Sequence, residues 1–86
     1  MSQSSHVEER VKRFILEEFL PGEDPEQLTR TTPLITAGIL DSIATLKLVG
    51  YLEEEFSISV EPHEASAEHL DTIERIAGLV ASKSRA

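Results

Sequence analysis

The residues whose types and spacing could do chemistry sit at Asp41 and Ser42, a carboxylate beside a hydroxyl at the opening of a periodic stretch. From Ser42 to Phe56 the residues Thr45, Leu48, Val49, Leu52 and Phe56 recur at the three-to-four spacing of one helix face. Asp41 suits the N-cap, where its carboxylate accepts a free backbone N–H. Ser42 then becomes the first helical residue, with Oγ facing solvent at the positive end of the helix dipole. A phosphate ester on that oxygen would be stabilised by the unpaired N–H groups of the first turn. Nucleophilic hydrolysis is a poorer fit. Leu40 and Ala44 stand where a nucleophile elbow needs glycines, and no histidine is tied by sequence context to Ser42. His63 and His69 are six positions apart and fall on different sides of a helix, whereas a two-histidine zinc motif needs a separation of four. They read as solvated surface residues, as does His6.

Four helical segments and no internal repeat must position this serine. A capping-box pattern at Ser5-His6-Val7-Glu8 starts the first, whose apolar positions Val7, Val11, Phe14, Ile15 and Leu16 precede a stop at Pro21-Gly22. A long loop follows, from Gly22 to Leu40, with a helical turn expected over Glu26 to Thr29. A connection of this length needs anchors, for which Leu28, Leu34 and Ile35 are the candidates. The second helix spans Ser42 to about Phe56. Ile58 and Val60 alternate with Ser57 and Ser59 but have no evident partner strand, so the segment reads as an extended connector. A short third helix fits between Pro62 and Leu70. Asp71-Thr72-Ile73-Glu74 reads as a second capping box, and Ile73, Ile76, Ala77 and Val80 give the last helix its buried face. The tail beyond Ala81 is expected to fray. The fold class is therefore all-α: a small four-helix bundle, with three main helices and one short one. Residues 1–86 make a single domain with an ordered core over about 5–82.

Composition narrows the partners. The chain has 86 residues, no cysteine and a formal charge of −8. It is just large enough for a modest core without staples. With no cysteine, any reactive sulfur must arrive on a cofactor or partner. The negative charge argues against nucleic acid and anionic membranes, because phosphate binding needs Lys and Arg to displace counterions. It favours partners with basic docking surfaces. No apolar run suits a signal core or a membrane span, so the expected location is the cytoplasm.

Gly38-x-Leu40-Asp41-Ser42-Ile43, then Leu52-Glu53-Glu54-Glu55-Phe56 and Ile58, resembles the acyl and peptidyl carrier proteins. The resemblance runs from about Val7 to Val80 and takes in Thr32-Pro33-Leu34 and Leu70-Asp71-Thr72-Ile73. It implies four helices and a covalent 4′-phosphopantetheine arm, drawn from coenzyme A, on Ser42. The chain would then be a carrier rather than an enzyme, holding an acyl or aminoacyl group as a thioester. Its implied partners are a phosphopantetheinyl transferase, an acyl- or aminoacyl-activating ligase and downstream biosynthetic enzymes, met as a monomer. Fatty-acid carriers usually have acidic residues soon after the serine, where this chain has Ala44 and Lys47. Leu40-Asp41-Ser42-Ile43-Ala44-Thr45 is more similar to aminoacyl or peptidyl carriers, including the type that carries D-alanine. A standalone aminoacyl or peptidyl carrier is therefore favoured over an acyl carrier of fatty-acid or polyketide type. The remaining alternative is a helical interaction module that carries no arm.

The second helix also offers a surface for partners. Taking Leu48, Leu52 and Phe56 as the buried direction turns Ile43, Lys47, Gly50 and Glu54 outward and leaves Leu46 at the boundary. Together with Asp41, these residues are the candidates for partner recognition. The plainer alternative for Ile43 is that it folds under the loop around Ile39 and completes the core. Glu53-Glu54-Glu55 reads equally well as a docking patch or as a solvated face.

Overall fold

The computed structural model describes residues 3–84. Its helices are α1 (Gln3–Phe19), α2 (Ser42–Phe56), α3 (Ala67–Leu70) and α4 (Ile73–Ser84), with single 3-10 turns at Pro25–Gln27 and Pro62–Glu64. No strand occurs among the described residues, and the Ile58–Val60 stretch is a connector without regular secondary structure.

Helix α1 buries Val7, Val11 and Ile15, one row at i, i+4 and i+8, with Phe14 and Leu16 half-buried beside it. The described helix already includes Gln3 and Ser4, so it does not start at the Ser5 capping pattern. At its other end, Leu20 donates to the carbonyls of Ile15 and Leu16, both at 3.2 Å, and Gly22 takes φ +87°. The chain then leaves through Pro21, which cannot continue the helix. Helix α1 packs mainly against α4.

The long loop is held at three apolar points and by a polar clamp. Leu28, Leu34 and Leu40 are buried, while Ile35 is half-buried. The polar clamp comes from Asp71, which does not take the α4-capping role its sequence context predicts. That role belongs to Thr72, whose Oγ1 accepts the Arg75 N–H at 3.0 Å. The Asp71 carboxylate reaches across to the loop instead. It accepts the N–H groups of Ile35 and Thr36, each at 2.9 Å, and the Thr36 hydroxyl at 3.1 Å. The backbone joins in, with Leu34 N–H donating to the Asp71 carbonyl at 2.6 Å and Glu74 N–H to the Arg30 carbonyl at 3.0 Å. The Thr36 N–H above all, with help from the Thr36 hydroxyl and Ile35, holds the Asp71 carboxyl below its ordinary range. Arg30 adds ion pairs to Glu8 at 2.8 Å and Glu74 at 3.4 Å, tying the loop to both α1 and α4.

Helix α4 buries Ile73, Ile76, Ala77 and Val80, as their spacing predicts, and adds Leu79. It does not fray after Ala81 but continues to Ser84. Two contacts explain the extra turn: Ser82 Oγ donates to the Leu79 carbonyl at 2.9 Å, and Lys83 pairs with Glu64 at 2.6 Å. The Lys83 ammonium and the Glu61 N–H also hold the Glu64 carboxyl below its usual range. The third helical segment is shorter than the Pro62-to-Leu70 span allowed. It breaks at Ala65-Ser66 into a 3-10 turn and the four residues of α3.

Candidate functional site

Two buried neighbours aim the serine outward. Leu40 and Ala44 are both core residues, so the three positions between them, Asp41, Ser42 and Ile43, must lie at the surface. The approach is a turn in which Gly38 takes φ +83°, a conformation few side chains tolerate, and Leu40 N–H returns to the Leu34 carbonyl at 2.9 Å. Asp41 adopts extended backbone (φ −85°, ψ −171°), and its carboxylate accepts the Ala44 N–H at 2.8 Å. Its carbonyl accepts both the N–H and the hydroxyl of Thr45, each at 2.8 Å. The cap assignment made from sequence therefore holds, and α2 begins at Ser42 and ends at Phe56 as read.

This leaves two first-turn amides to spare. Among the described residues, neither the Ser42 nor the Ile43 N–H has a hydrogen-bond partner, and the Ser42 hydroxyl has none. An exposed hydroxyl beside two unpaired donors at a helix start suits a phosphate ester. From Ser42 an open cleft of about 540 Å³ runs between the loop, α2 and the segment leading into α3. Ile35, Leu40, Thr45 and Leu46 line one side, with Ala65, Ser66 and Ala67 on the other. Asp41 is the one charged residue in that lining. These residues fit a phosphopantetheine group: donors for its phosphate at one end and a largely apolar cleft beside the attachment point.

The α2 face is sorted differently from its sequence pattern. Its buried row is Ala44, Leu48 and Leu52, while Thr45, Val49 and Phe56 are only half-buried. The row is thus centred one position earlier than the apolar spacing indicates, because Ala44 is small enough to sit against the loop. Ile43 and Leu46 are each 68 % exposed. Ile43 does not complete the core, and Leu46 lies further out than the boundary expected for it. Lys47, Gly50 and Glu54 are exposed on the same side, and a Cβ added at Gly50 would meet nothing within 4 Å. Beside Gly50, Tyr51 stacks on Phe14 of α1 with ring centroids 4.1 Å apart, so an aromatic pair closes the α1–α2 seam.

The acidic run is neither a uniform patch nor a plain solvated face. Glu53 accepts the Val60 N–H at 2.9 Å and pins the connector, while Glu55 pairs with Arg10 of α1. Only Glu54 is left to face outward without a partner among the described residues. The basic-partner expectation drawn from net charge is weakened locally, since the exposed strip nearest Ser42 is apolar with one lysine. His6 and His63 are exposed and His69 half-buried; no group of three metal-ligating side chains occurs among the described residues. No helix among them is long and apolar enough to cross a membrane.

What the geometry defines is a small helical bundle that displays Ser42 at its surface, at the start of α2, rather than enclosing it. Comparison with known proteins agrees. The profile of the phosphopantetheine attachment site family matches residues 13–80. The acyl carrier protein of Phenylobacterium zucineum (strain HLK1) is 38% identical over 69 residues, which cover 80% of this chain and 82% of that one. The solved apo structure of KstB-PCP, a peptidyl carrier protein, superposes with a TM-score of 0.75 at 30% identity, covering 99% of this chain and 94% of its own. The chain belongs to the phosphopantetheine-binding carrier proteins. It is a carrier rather than an enzyme, and its cofactor is covalent 4′-phosphopantetheine. Carriers of this family meet phosphopantetheinyl transferases and biosynthetic enzymes.

Proposed function

We propose that Ser42 is the attachment residue and that the chain is an aminoacyl or peptidyl carrier. The observation that carries this reading is the exposed Ser42 hydroxyl, with two unpaired amides beside it and a cleft opening from it. Loading by a transferase would have Ser42 Oγ attack the pantetheine-side phosphorus of coenzyme A. The pyrophosphate P–O bond breaks, adenosine 3′,5′-bisphosphate departs, and the serine proton passes to a base on the transferase. When bound, the group supplies the terminal thiol that this cysteine-free chain lacks, and an acyl group is held there as a thioester. Asp41 keeps the first turn wound and so keeps Oγ presented. The carrier then raises the effective concentration of cargo at successive enzymes by tethering, without catalysing a step itself.

Ile43, Leu46, Lys47, Gly50 and Glu54 form the surface that partner enzymes contact. Two apolar side chains with a charged rim suit a transient interface. The aminoacyl or peptidyl assignment is supported by Ala44 and Lys47, which stand where acidic residues would suit a fatty-acid carrier, and by the likeness to a peptidyl carrier. The acyl-carrier alternative rests on the curated relative's name. We place the chain in the cytoplasm as a monomer, where coenzyme A and activating ligases are found. Two exposed apolar side chains are few for a stable dimer, whose interface takes roughly 20–30 residues a side.

Intact mass after incubation with coenzyme A, magnesium and a broad-specificity transferase tests the attachment. One phosphopantetheine should be added to the wild type and none to Ser42→Ala. A wild type that gains no mass with several transferases would refute the assignment. Challenge of the loaded protein with aminoacyl-activating and acyl-activating ligases then separates the two cargo classes.

A further inference from the structure

The cleft beside Ser42 has two walls that do not hold themselves in place. One is the loop at Ile35, irregular backbone with a half-buried side chain. The other is Ala65-Ser66-Ala67, which leads into a helix of only four residues. A helix that short has almost no intrinsic stability and takes its position from tertiary contacts. Its main apolar anchor is Leu70, at the end away from the cleft. The cleft-facing end is small and half-exposed, so burial does little to fix it.

Both walls are instead tied to the same place, the start of α4. The Asp71 carboxylate holds the loop wall through the Ile35 and Thr36 amides. Arg75, one turn further along, sends Nη1 to the carbonyls of Ala67 at 3.3 Å and Glu68 at 3.5 Å. Arg75 is exposed, takes part in no ion pair among the described residues, and its own N–H is spent on Thr72. Its guanidinium is thus directed at the α3 wall.

We infer that Arg75 is a positioning residue for the prosthetic arm: with Asp71 holding the opposite wall, it sets the width of the cleft that opens from Ser42. It does not line the cleft itself and meets the lining only at the Ala67 backbone. It acts through the Ala67 carbonyl, keeping the Ala65–Ala67 wall close enough for an arm on Ser42 to rest against it. Without that tie the wall is held only at its ends, by Leu70 and by the Glu64–Lys83 ion pair, so the Ala65–Ala67 stretch between them can shift outward and an arm in the cleft loses contact on that side. This inference rests on the assignment of Ser42 as the attachment residue.

The test is methyl NMR on the apo protein and on protein loaded from isotope-labelled coenzyme A. In the loaded wild type, the paired methyl groups of the pantoyl unit should show cross-relaxation to the Ala65 and Ala67 methyls and to Leu46. Arg75→Ala should weaken the Ala65 and Ala67 contacts at least twofold and leave those to Leu46. The Ala65 and Ala67 methyl shifts should move in apo Arg75→Ala, while those of Leu48 and Leu70 stay put. Arg75→Lys, which can still donate to a carbonyl, should recover part of the contact. It also serves as the second variant should Arg75→Ala fold poorly. A merely structural role would instead disturb the core methyls together with the wall. The inference falls if the loaded wild type shows no arm contact to Ala65 or Ala67, or if Arg75→Ala keeps wild-type contacts; either result leaves the carrier assignment standing. A wild type that takes the arm on a residue other than Ser42 overturns both.

Discussion

Removing the Asp71 carboxylate should release the long loop, and the size of the effect follows from its bonds. Asp71→Ala deletes the acceptor for the Ile35 and Thr36 amides, at 2.9 Å each, and for the Thr36 hydroxyl at 3.1 Å. Hydrogen bonds to a charged group contribute roughly 1.5–3 kcal/mol in favourable settings. Here the carboxylate is only half-buried, and solvent screening discounts each bond heavily. The three together come to about 2 kcal/mol, most of it from leaving the half-buried Ile35 N–H without a partner. For a domain this small, with a urea m-value near 1 kcal/mol/M, the midpoint should fall by about 2 M. Asp71→Asn keeps one acceptor oxygen and should lose about half as much. The effect should also depend on pH. The folded-state pKa of Asp71 lies below its ordinary 3.8, so its contribution is fully present above the unfolded value. It is lost as pH falls through the folded value. The gap between wild type and Asp71→Asn should therefore be constant from pH 7 to about pH 5 and shrink below about pH 4. Urea melts at pH 7 and pH 3, followed by far-UV circular dichroism, measure both. An unchanged midpoint at pH 7, or a gap that persists undiminished at pH 3, would refute the reasoning.

Ser42→Ala should stay within about 0.5 kcal/mol of wild type, because the hydroxyl is exposed and unpaired. Leu52→Ala, at a fully buried position, should lose roughly 2–5 kcal/mol; comparable losses in the two would mean the helix face is misassigned. Gly50→Ala should raise stability by about 0.5–1 kcal/mol, since the site is mid-helix and open, while slowing partner-dependent loading if enzymes approach there. Thermal melts and ligase kinetics on that variant read the two effects separately. Changing Ile43 and Leu46 together to serine should slow loading by the cognate ligase and barely move the melting temperature, because both are already solvated. A large loss of stability with normal loading per folded molecule would return them to the core.

Much of the site is local and so legible in the chain itself. Asp41 caps a helix whose first residue is Ser42 because a short acidic side chain needs only the next turn of backbone to do so. The span of α2, the stop at Pro21 and the buried row of α4 follow from periodicity and backbone chemistry in the same way. The family, too, is carried by short ordered motifs.

The tertiary structure decided where each polar group spends its bonds. Asp71 had the sequence context of a helix cap, yet it reaches back 36 positions to Ile35, because Thr72 beside it caps α4 and leaves the carboxylate free for the loop. Three successive glutamates look alike in sequence. Folding assigns Glu53 to the Val60 amide, Glu55 to Arg10 and Glu54 to solvent, according to what each side of α2 happens to face. The cleft beside Ser42 is likewise invisible in one dimension, since its walls come from three segments that only the fold brings together. Local patterning sets which residues form helices and which hydroxyl opens α2. Long-range polar contacts, which have no periodicity, set what surrounds it.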